Sequence, residues 1–416
     1  MTAARAEYAV FLASTGVVWL HVTDDNFLQP EPGTAATDHL VSGLVPLAVL
    51  ALTAWLYPRL RPGARGAIAL VLGMSGIVVG IEGAYSLAKG NASGDDFTGL
   101  LAIPAGAVLL GLGATTLWRS RRGGTRARRY LRRFLIAVGA LATVYILLGP
   151  FSISYVFTHV ARGYVPTPDL GAPHEEVSFT TGDGLELRGW YIPSKNRAAV
   201  IAFPGRRGPQ RPARMLARHG YGVLLFDRRG EGESEGDPNI FGWQGERDLR
   251  AAVDYLRTRS DVDDDRIGGI GLSVGGEMML EAAAESDGLK AVVSEGAGIR
   301  SIREALAIPE TRPRIEGLIA HAVVTPSVAL FSNSLPPPGL DDLVSRIAPR
   351  PVFFIYAVPG QGGEAELSQV FYDAAREPKT IWRVPGSEHT GGIEAQPAEY
   401  EARVVGFFDR ALLGAR

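Results

Sequence analysis

The chain has 416 residues, 42 Lys and Arg against 44 Asp and Glu, a net charge of -2 and no cysteine. That length exceeds one ordinary core and implies two or three units of roughly 100 to 200 residues each. The balanced charge argues against nucleic acid as a partner, and the lack of cysteine excludes disulfides, a thiol nucleophile and Cys-ligated metal.

The apolar fraction of 46 % averages two unlike halves. Apolar runs cover about Tyr8 to Leu20, Leu40 to Tyr57, Ala67 to Ala88, Thr98 to Trp118 and Phe134 to Phe157. Most approach the ~20 residues needed to cross a bilayer, and soluble helices are seldom apolar all round for so long. We therefore read residues 1–158 as an all-α transmembrane bundle of about five spans, the first being the shortest. The first run lacks a cationic leader and is one of several spans, which argues against a cleaved signal peptide.

Charge in the short loops orients this bundle. Arg59, Arg61 and Arg65 follow the second run, and Arg119, Arg121, Arg122, Arg126, Arg128, Arg129, Arg132 and Arg133 follow the fourth. The alternate loops hold Lys89 as their only cation, with Asp24, Asp25, Glu31, Asp95 and Asp96. The positive-inside rule places the arginine loops in the cytoplasm, where they rest on anionic lipid. An odd number of spans then puts everything after Phe157 outside. Glu82 is the one acid well inside a run and reads as an interfacial carboxylate, while Gly76 and Gly80 fit a G-x-x-x-G packing pattern.

Residues 159–174 are rich in Pro and Gly and form the expected linker. Glu176 to Thr180 and Leu185 to Ile192 alternate around Gly182-Asp183-Gly184, a hairpin signal. Short continuous apolar runs follow at Ala198 to Phe203 and Gly222 to Phe226, and further strands are expected at Ile267 to Gly271, Lys290 to Ser294, Pro351 to Tyr356 and Thr380 to Val384. Runs of that kind suit strands buried on both faces of a parallel sheet. Helical segments alternate with them, including Arg211 to His219, Gly245 to Arg257 and a closing helix with its apolar stripe on Tyr400, Val404, Phe407, Phe408 and Leu412.

Gly271-Leu272-Ser273-Val274-Gly275 falls between a strand and a helix, the layout of a nucleophile elbow in which small neighbours leave a serine hydroxyl clear of the sheet. A dinucleotide fold also places glycines there. Its third glycine would fall at Val274, and the acid that should bind a ribose has only Glu295 as a distant counterpart, so no nucleotide cofactor is expected.

Three stretches together resemble the α/β-hydrolase superfamily. Asp227-Arg228-Arg229-Gly230-Glu231-Gly232-Glu233-Ser234 is similar to its D-x-R-G-x-G-x-S signature, Gly271 to Gly275 to its elbow, and Pro385-Gly386-Ser387-Glu388-His389 to its histidine loop. The match covers residues 175–416 and implies a doubly wound, mostly parallel α/β sheet. It also implies a serine hydrolase with Ser273 as nucleophile and His389 as base. The family's acid follows the strand ending at Ala357, where the turn offers Glu364 and then Glu366. Some members carry it one strand earlier, which nominates Glu295. The oxyanion donors implied are the N–H groups of Val274 and of Arg206, in a loop that reads Pro204-Gly205-Arg206 where the family commonly has His-Gly. Arg206, Arg207, Arg211 and Arg214 crowd that loop and read as solvated loop arginines, with recognition of an anionic acyl or phosphate-bearing substrate as the alternative, whereas Arg229 matches a residue that braces the D-x-R-G loop. Residues 298–349 form an insertion, read as a helical cap over the serine that could also lie against the bilayer.

The expected protein is thus a multi-pass plasma-membrane protein with an extracytoplasmic serine hydrolase domain. It acts on a small-molecule or lipid ester, thioester or amide, beside membrane lipid, without cofactor or metal. An acyltransferase using the same residues, or a non-catalytic membrane sensor, are the alternatives.

Overall fold

The computed structural model describes residues 3–90, 93–119, 144–208, 210–361 and 363–414, with residues 127, 130, 131, 134, 136, 138, 139 and 142 besides. Of the cationic loop expected after the fourth run, Arg119 is described, while Arg121, Arg122, Arg126, Arg128, Arg129, Arg132 and Arg133 lie outside the described residues. Two compact units divide the chain. One holds Met1–Ala161 with Val323–Asn333, the other Arg162–Ala322 with Ser334–Arg416.

The first unit is helical. Helices α1 (Ala3–Thr23), α2 (Leu40–Leu56), α3 (Pro62–Lys89) and α4 (Gly94–Arg119) follow one another, and Gly149–Thr158 closes the series. Among the described residues, Leu40–Arg59, Pro62–Lys89 and Gly94–Arg119 are long and apolar enough to cross a membrane; the described part of the fifth run, Val144–Thr158, is a shorter apolar helix. The interface of α3 and α4 is built on glycine. A Cβ on Gly73 would stand 2.8 Å from the Gly106 carbonyl oxygen, and one on Gly106 would stand 2.6 Å from that of Gly73. Neither position has room for a side chain, and such close approach lets two backbones pack without any hydrophobic drive. Glu82 accepts a 3.3 Å bond from Ser86 Oγ one turn along the same helix.

The second unit is an eight-stranded sheet in the order β1-β2-β4-β3-β5-β6-β7-β8. Strands β1 (Glu175–Thr180) and β2 (Glu186–Ile192) form the antiparallel hairpin, and β2 pairs antiparallel with β4 (Gly222–Phe226). From there β3 (Ala199–Phe203), β5 (Ile267–Leu272), β6 (Ala291–Glu295), β7 (Val352–Pro359) and β8 (Lys379–Ser387) run parallel. Every residue of β3, β4, β5 and β6 is buried. Helices cover both faces. Leu249, Val253 and Met279 belong to the core of one face, and Tyr400, Val404 and Phe408 to that of the other.

The stretch read as the linker is tied to the sheet unit: Gly163 N–H donates to the Gly232 carbonyl at 2.8 Å, and Val165 and Leu170 are buried with Trp190 and Ile192. One expectation needs correction. The insertion is not one cap. Its helices are Ile302–Ala307, Thr311–Ile319, Thr325–Phe331 and Leu340–Leu343, and Val323–Asn333 groups with the first unit. There Phe331 packs edge-on to Phe151 at 4.9 Å and to Tyr155 at 5.3 Å, and Ser154 Oγ donates to the Val324 carbonyl at 3.4 Å.

The cause is hydropathy. Thr311–Phe331 is apolar over a length that would cross a membrane, although its apolar residues taken in short pieces suggest only a cap. A single crossing is nonetheless excluded by topology. It would leave β6 and β7 on opposite sides, yet Val292 and Val352 are parallel partners in one sheet.

Candidate active site

The serine sits where β5 turns into the helix Val274–Glu285. Ser273 adopts φ 53° and ψ -125°, a conformation that costs a non-glycine residue roughly 1 to 3 kcal/mol. The surroundings hold it there. Its N–H donates to the Glu295 carbonyl at 2.8 Å, and its own carbonyl accepts from Gly276 N–H at 2.8 Å. The flanking glycines are required by contact: a Cβ on Gly271 would stand 2.1 Å from the Gly275 carbonyl oxygen, and one on Gly275 would stand 2.7 Å from Phe203 Cβ.

His389 follows β8, 116 residues after the serine, and its Nε2 lies 2.9 Å from Ser273 Oγ. Its Nδ1 lies 2.8 Å from Glu364 Oε2. An ionised carboxylate can only accept, so Nδ1 carries the ring proton and Nε2 is left to accept from the serine hydroxyl. Of the three acids nominated from sequence, Glu364 is therefore the one brought to the imidazole. It does not lie in a turn, as expected, but opens the helix Glu364–Ala374, whose N-terminus favours a negative charge. Backbone N–H groups of Ala357 and Gln361 donate to its Oε1 and Oε2 at 2.8 and 3.2 Å. Glu366 stands half-buried two residues further along that helix.

Glu295 is directed elsewhere. Its Oε1 accepts from Gly392 N–H at 2.9 Å and its Oε2 from Tyr400 OH at 2.7 Å. With both oxygens engaged, Glu295 does not serve the imidazole, which corrects that alternative. Burial pushes its carboxyl above the usual range, against the pull of the Tyr400 and Gly392 hydrogen bonds.

The two nominated oxyanion donors share the carboxyl edge of the sheet. Val274 is the first residue of its helix, where N–H groups have no intrahelical acceptor. Arg206 follows β3, whose last residue, Phe203, is the register partner of Gly271. The Arg206 side chain is not the solvated loop arginine expected. It is buried, donating to Asp227 from Nε at 2.9 Å and Nη2 at 2.7 Å, and to Glu233 at 2.7 Å. Burial opposes its charge, but Asp227 and Glu233 raise its pKa on balance.

Arg211 and Arg214 also have partners. Arg211 pairs with Glu394 at 3.1 Å, and Arg214 Nε donates to the Asp169 carbonyl at 2.8 Å; Arg207 is exposed. Arg229 braces its loop through Asp248, Asp183 and Gln244. Asp183, Asp248 and Tyr400 are site-supporting residues that sequence reasoning missed. In sequence, Gly182-Asp183-Gly184 signals a turn and nothing more, and Tyr400 is one member of an apolar stripe.

Residues 166–321 match the family model of X-Pro dipeptidyl-peptidase (S15 family). The Rv2307c protein of Mycobacterium tuberculosis is 32% identical over 241 residues, spanning 55% of this chain and 77% of its own. The chain belongs to the α/β-hydrolase superfamily. The YfhR protein of Salmonella typhi is 28% identical over 68% of this chain and 97% of its own length. A polyketide transferase, grgF, of a Penicillium species is 34% identical over 36% of this chain and 52% of its own. Among solved structures, a Pyrococcus furiosus esterase is similar with a TM-score of 0.49 at 25% identity, covering 60% of this chain and 98% of its own. The chain thus joins a unit of the S15-like α/β-hydrolase type to a helical region with several helices apolar enough to span a membrane.

Proposed function

We propose that the chain is a membrane-anchored serine hydrolase that cleaves a carboxylic ester, thioester or amide through an acyl-enzyme. The observation that carries this reading is the unbroken line of hydrogen bonds from Ser273 Oγ through His389 to Glu364, at 2.9 and 2.8 Å. Ser273 Oγ attacks the carbonyl carbon while His389 Nε2 takes its proton. The tetrahedral oxyanion is met by the N–H groups of Val274 and Arg206, each such donor contributing about 10²- to 10³-fold in rate. The intermediate collapses, the C–O, C–S or C–N bond breaks, and His389 returns the proton to the leaving group. Water then repeats the sequence in reverse and releases the acid, regenerating the serine. Glu364 holds the imidazole tautomer and stabilises the imidazolium without itself being protonated.

The substrate is a small or lipid-derived acyl compound outside the cytoplasm, a reading that rests on the arginine loops and on the apolar helices of the first unit. Fluorophosphonate labelling tests the chemistry. The full chain should be labelled and Ser273→Ala should not; folded wild-type protein that fails to label would reduce the domain to a binding module.

A second reading is acyl transfer, favoured by the Penicillium transferase among the relatives. It differs only in the acceptor of the acyl group. Product analysis with and without added alcohols separates the two: an ester product formed at the expense of free acid would establish transfer.

A further inference from the structure

We propose that Glu295 and Tyr400 are positioning residues that hold the His389 loop in register with the serine turn; the inference rests on the serine-hydrolase reading above. Glu295 ends β6, between β5, which delivers the serine, and β7, which leads to Glu364. It is 1% exposed, a costly place for a carboxylate unless its bonds are made good. Those bonds go in two directions. Through the main chain, its carbonyl accepts the N–H of Ser273 at 2.8 Å. Through the side chain, it accepts Gly392 N–H at 2.9 Å and Tyr400 OH at 2.7 Å. One residue thus ties the nucleophile turn to the far side of the histidine loop.

The loop needs an external hold. Beyond β8 it folds on the Gly391 N–H to Glu388 carbonyl bond of 2.9 Å, and Thr390, next to the histidine, has a φ of 56°. Gly392, three residues after His389, is where the side chain of Glu295 grips it. The residue after Glu295 supports the ring from beneath. A Cβ on Gly296 would stand 2.9 Å from His389 Cε1 and 3.1 Å from Nδ1, so the imidazole rests against bare backbone. Tyr400, fully buried on the closing helix Pro397–Leu412, completes the clamp from the other face of the sheet. An apolar residue at 295 would fill the space but leave a buried N–H and a buried hydroxyl without partners. The carboxyl group therefore serves alignment across three elements.

The test uses the full-length chain in detergent or nanodiscs, with Tyr400→Phe, Glu295→Gln and Glu295→Ala. Active sites are counted by fluorophosphonate titration, kcat and KM are measured on a p-nitrophenyl ester, and melting is followed in parallel. Tyr400→Phe should lower kcat per titrated site roughly 10-fold, and Glu295→Ala, where it folds, roughly 100-fold, the scale of a small misplacement of a catalytic group. KM should stay within about twofold, and Glu295→Gln, whose amide can still accept from Gly392 and donate to Tyr400, should recover most of the rate. Tyr400→Phe with unchanged kcat per titrated site overturns the proposal, as does a loss confined to melting temperature. Failure of the wild type to be labelled would instead overturn the serine-hydrolase reading on which it stands.

Discussion

At the scale of single residues, the site is a set of buried charges, each with a defined partner. Glu364 is 4% exposed and spends its oxygens on two backbone N–H groups and the imidazole. Glu364→Gln keeps the shape but offers an amide N–H to the ring and inverts the tautomer. By analogy with an aspartate-to-asparagine change at the acid of a serine protease triad, kcat should fall by about 10⁴-fold with little change in KM. Glu366→Gln should leave both near wild type, and steady-state kinetics on one ester distinguish the two. Asp183 shows the same logic applied to stability. Burial raises its pKa, but hydrogen bonds from Arg229 and Thr181 outweigh it and hold the carboxyl well below the usual range. A depressed folded pKa means stability that is present above the unfolded value of about 3.9 and lost as pH falls. The difference in melting temperature between wild type and Asp183→Asn should therefore be full near pH 7 and shrink as the pH drops below about 4.

At the scale of elements, the turn between β5 and its helix decides whether a serine becomes usable. The strain at Ser273 is held in place by contacts on both sides, and Gly271 is where they are tightest. Gly271→Ala would drive a methyl group into the Gly275 carbonyl, at 2.1 Å, where backbone rather than a flexible side chain must give way. A loss of about 1 to 3 kcal/mol or more is expected, as for other overpacked sites, together with slower fluorophosphonate labelling of the protein that remains folded. Labelling at the wild-type rate in a folded Gly271→Ala protein would show that the turn tolerates a wider geometry. In the helical unit the same residue type has another use, since Gly73 and Gly106 admit close backbone contact between α3 and α4.

At the scale of the whole molecule, the proposed anchoring poses the question of which side of a membrane the hydrolase unit would face. The chain has no cysteine, so single cysteines can be introduced without background. Ser260→Cys lies on an exposed position of the sheet unit and Arg61→Cys on an exposed position of an arginine loop. With a membrane-impermeant maleimide on intact cells, Ser260→Cys should react at once and Arg61→Cys only after permeabilisation. The reverse pattern would place the enzyme in the cytoplasm.

Much of this is legible in the residues. The β-α-β alternation and the elbow are local patterns: hydrophobic period and small-residue turns depend on neighbours a few positions away. The order of serine, acid and histidine comes from the resemblance to the α/β-hydrolase superfamily. The resemblance puts Glu364 ahead of Glu366 and Glu295, but the residues alone do not separate them, because three acids of one chemistry differ only in what lies across the sheet from them. The same holds for Arg206, which composition marks as a loop cation and tertiary contact turns into a buried partner of Asp227. The insertion escapes for another reason. Its apolar segment divides into short pieces in sequence, and only the pairing of β6 with β7 reveals that the chain must return to the side it left. Local pattern thus determined the elements and the strand-to-helix turn that carries Ser273. Tertiary structure alone decided which glutamate meets His389, where the side chain of Glu295 turns and how the insertion runs, since each depends on residues distant in sequence brought together in the fold.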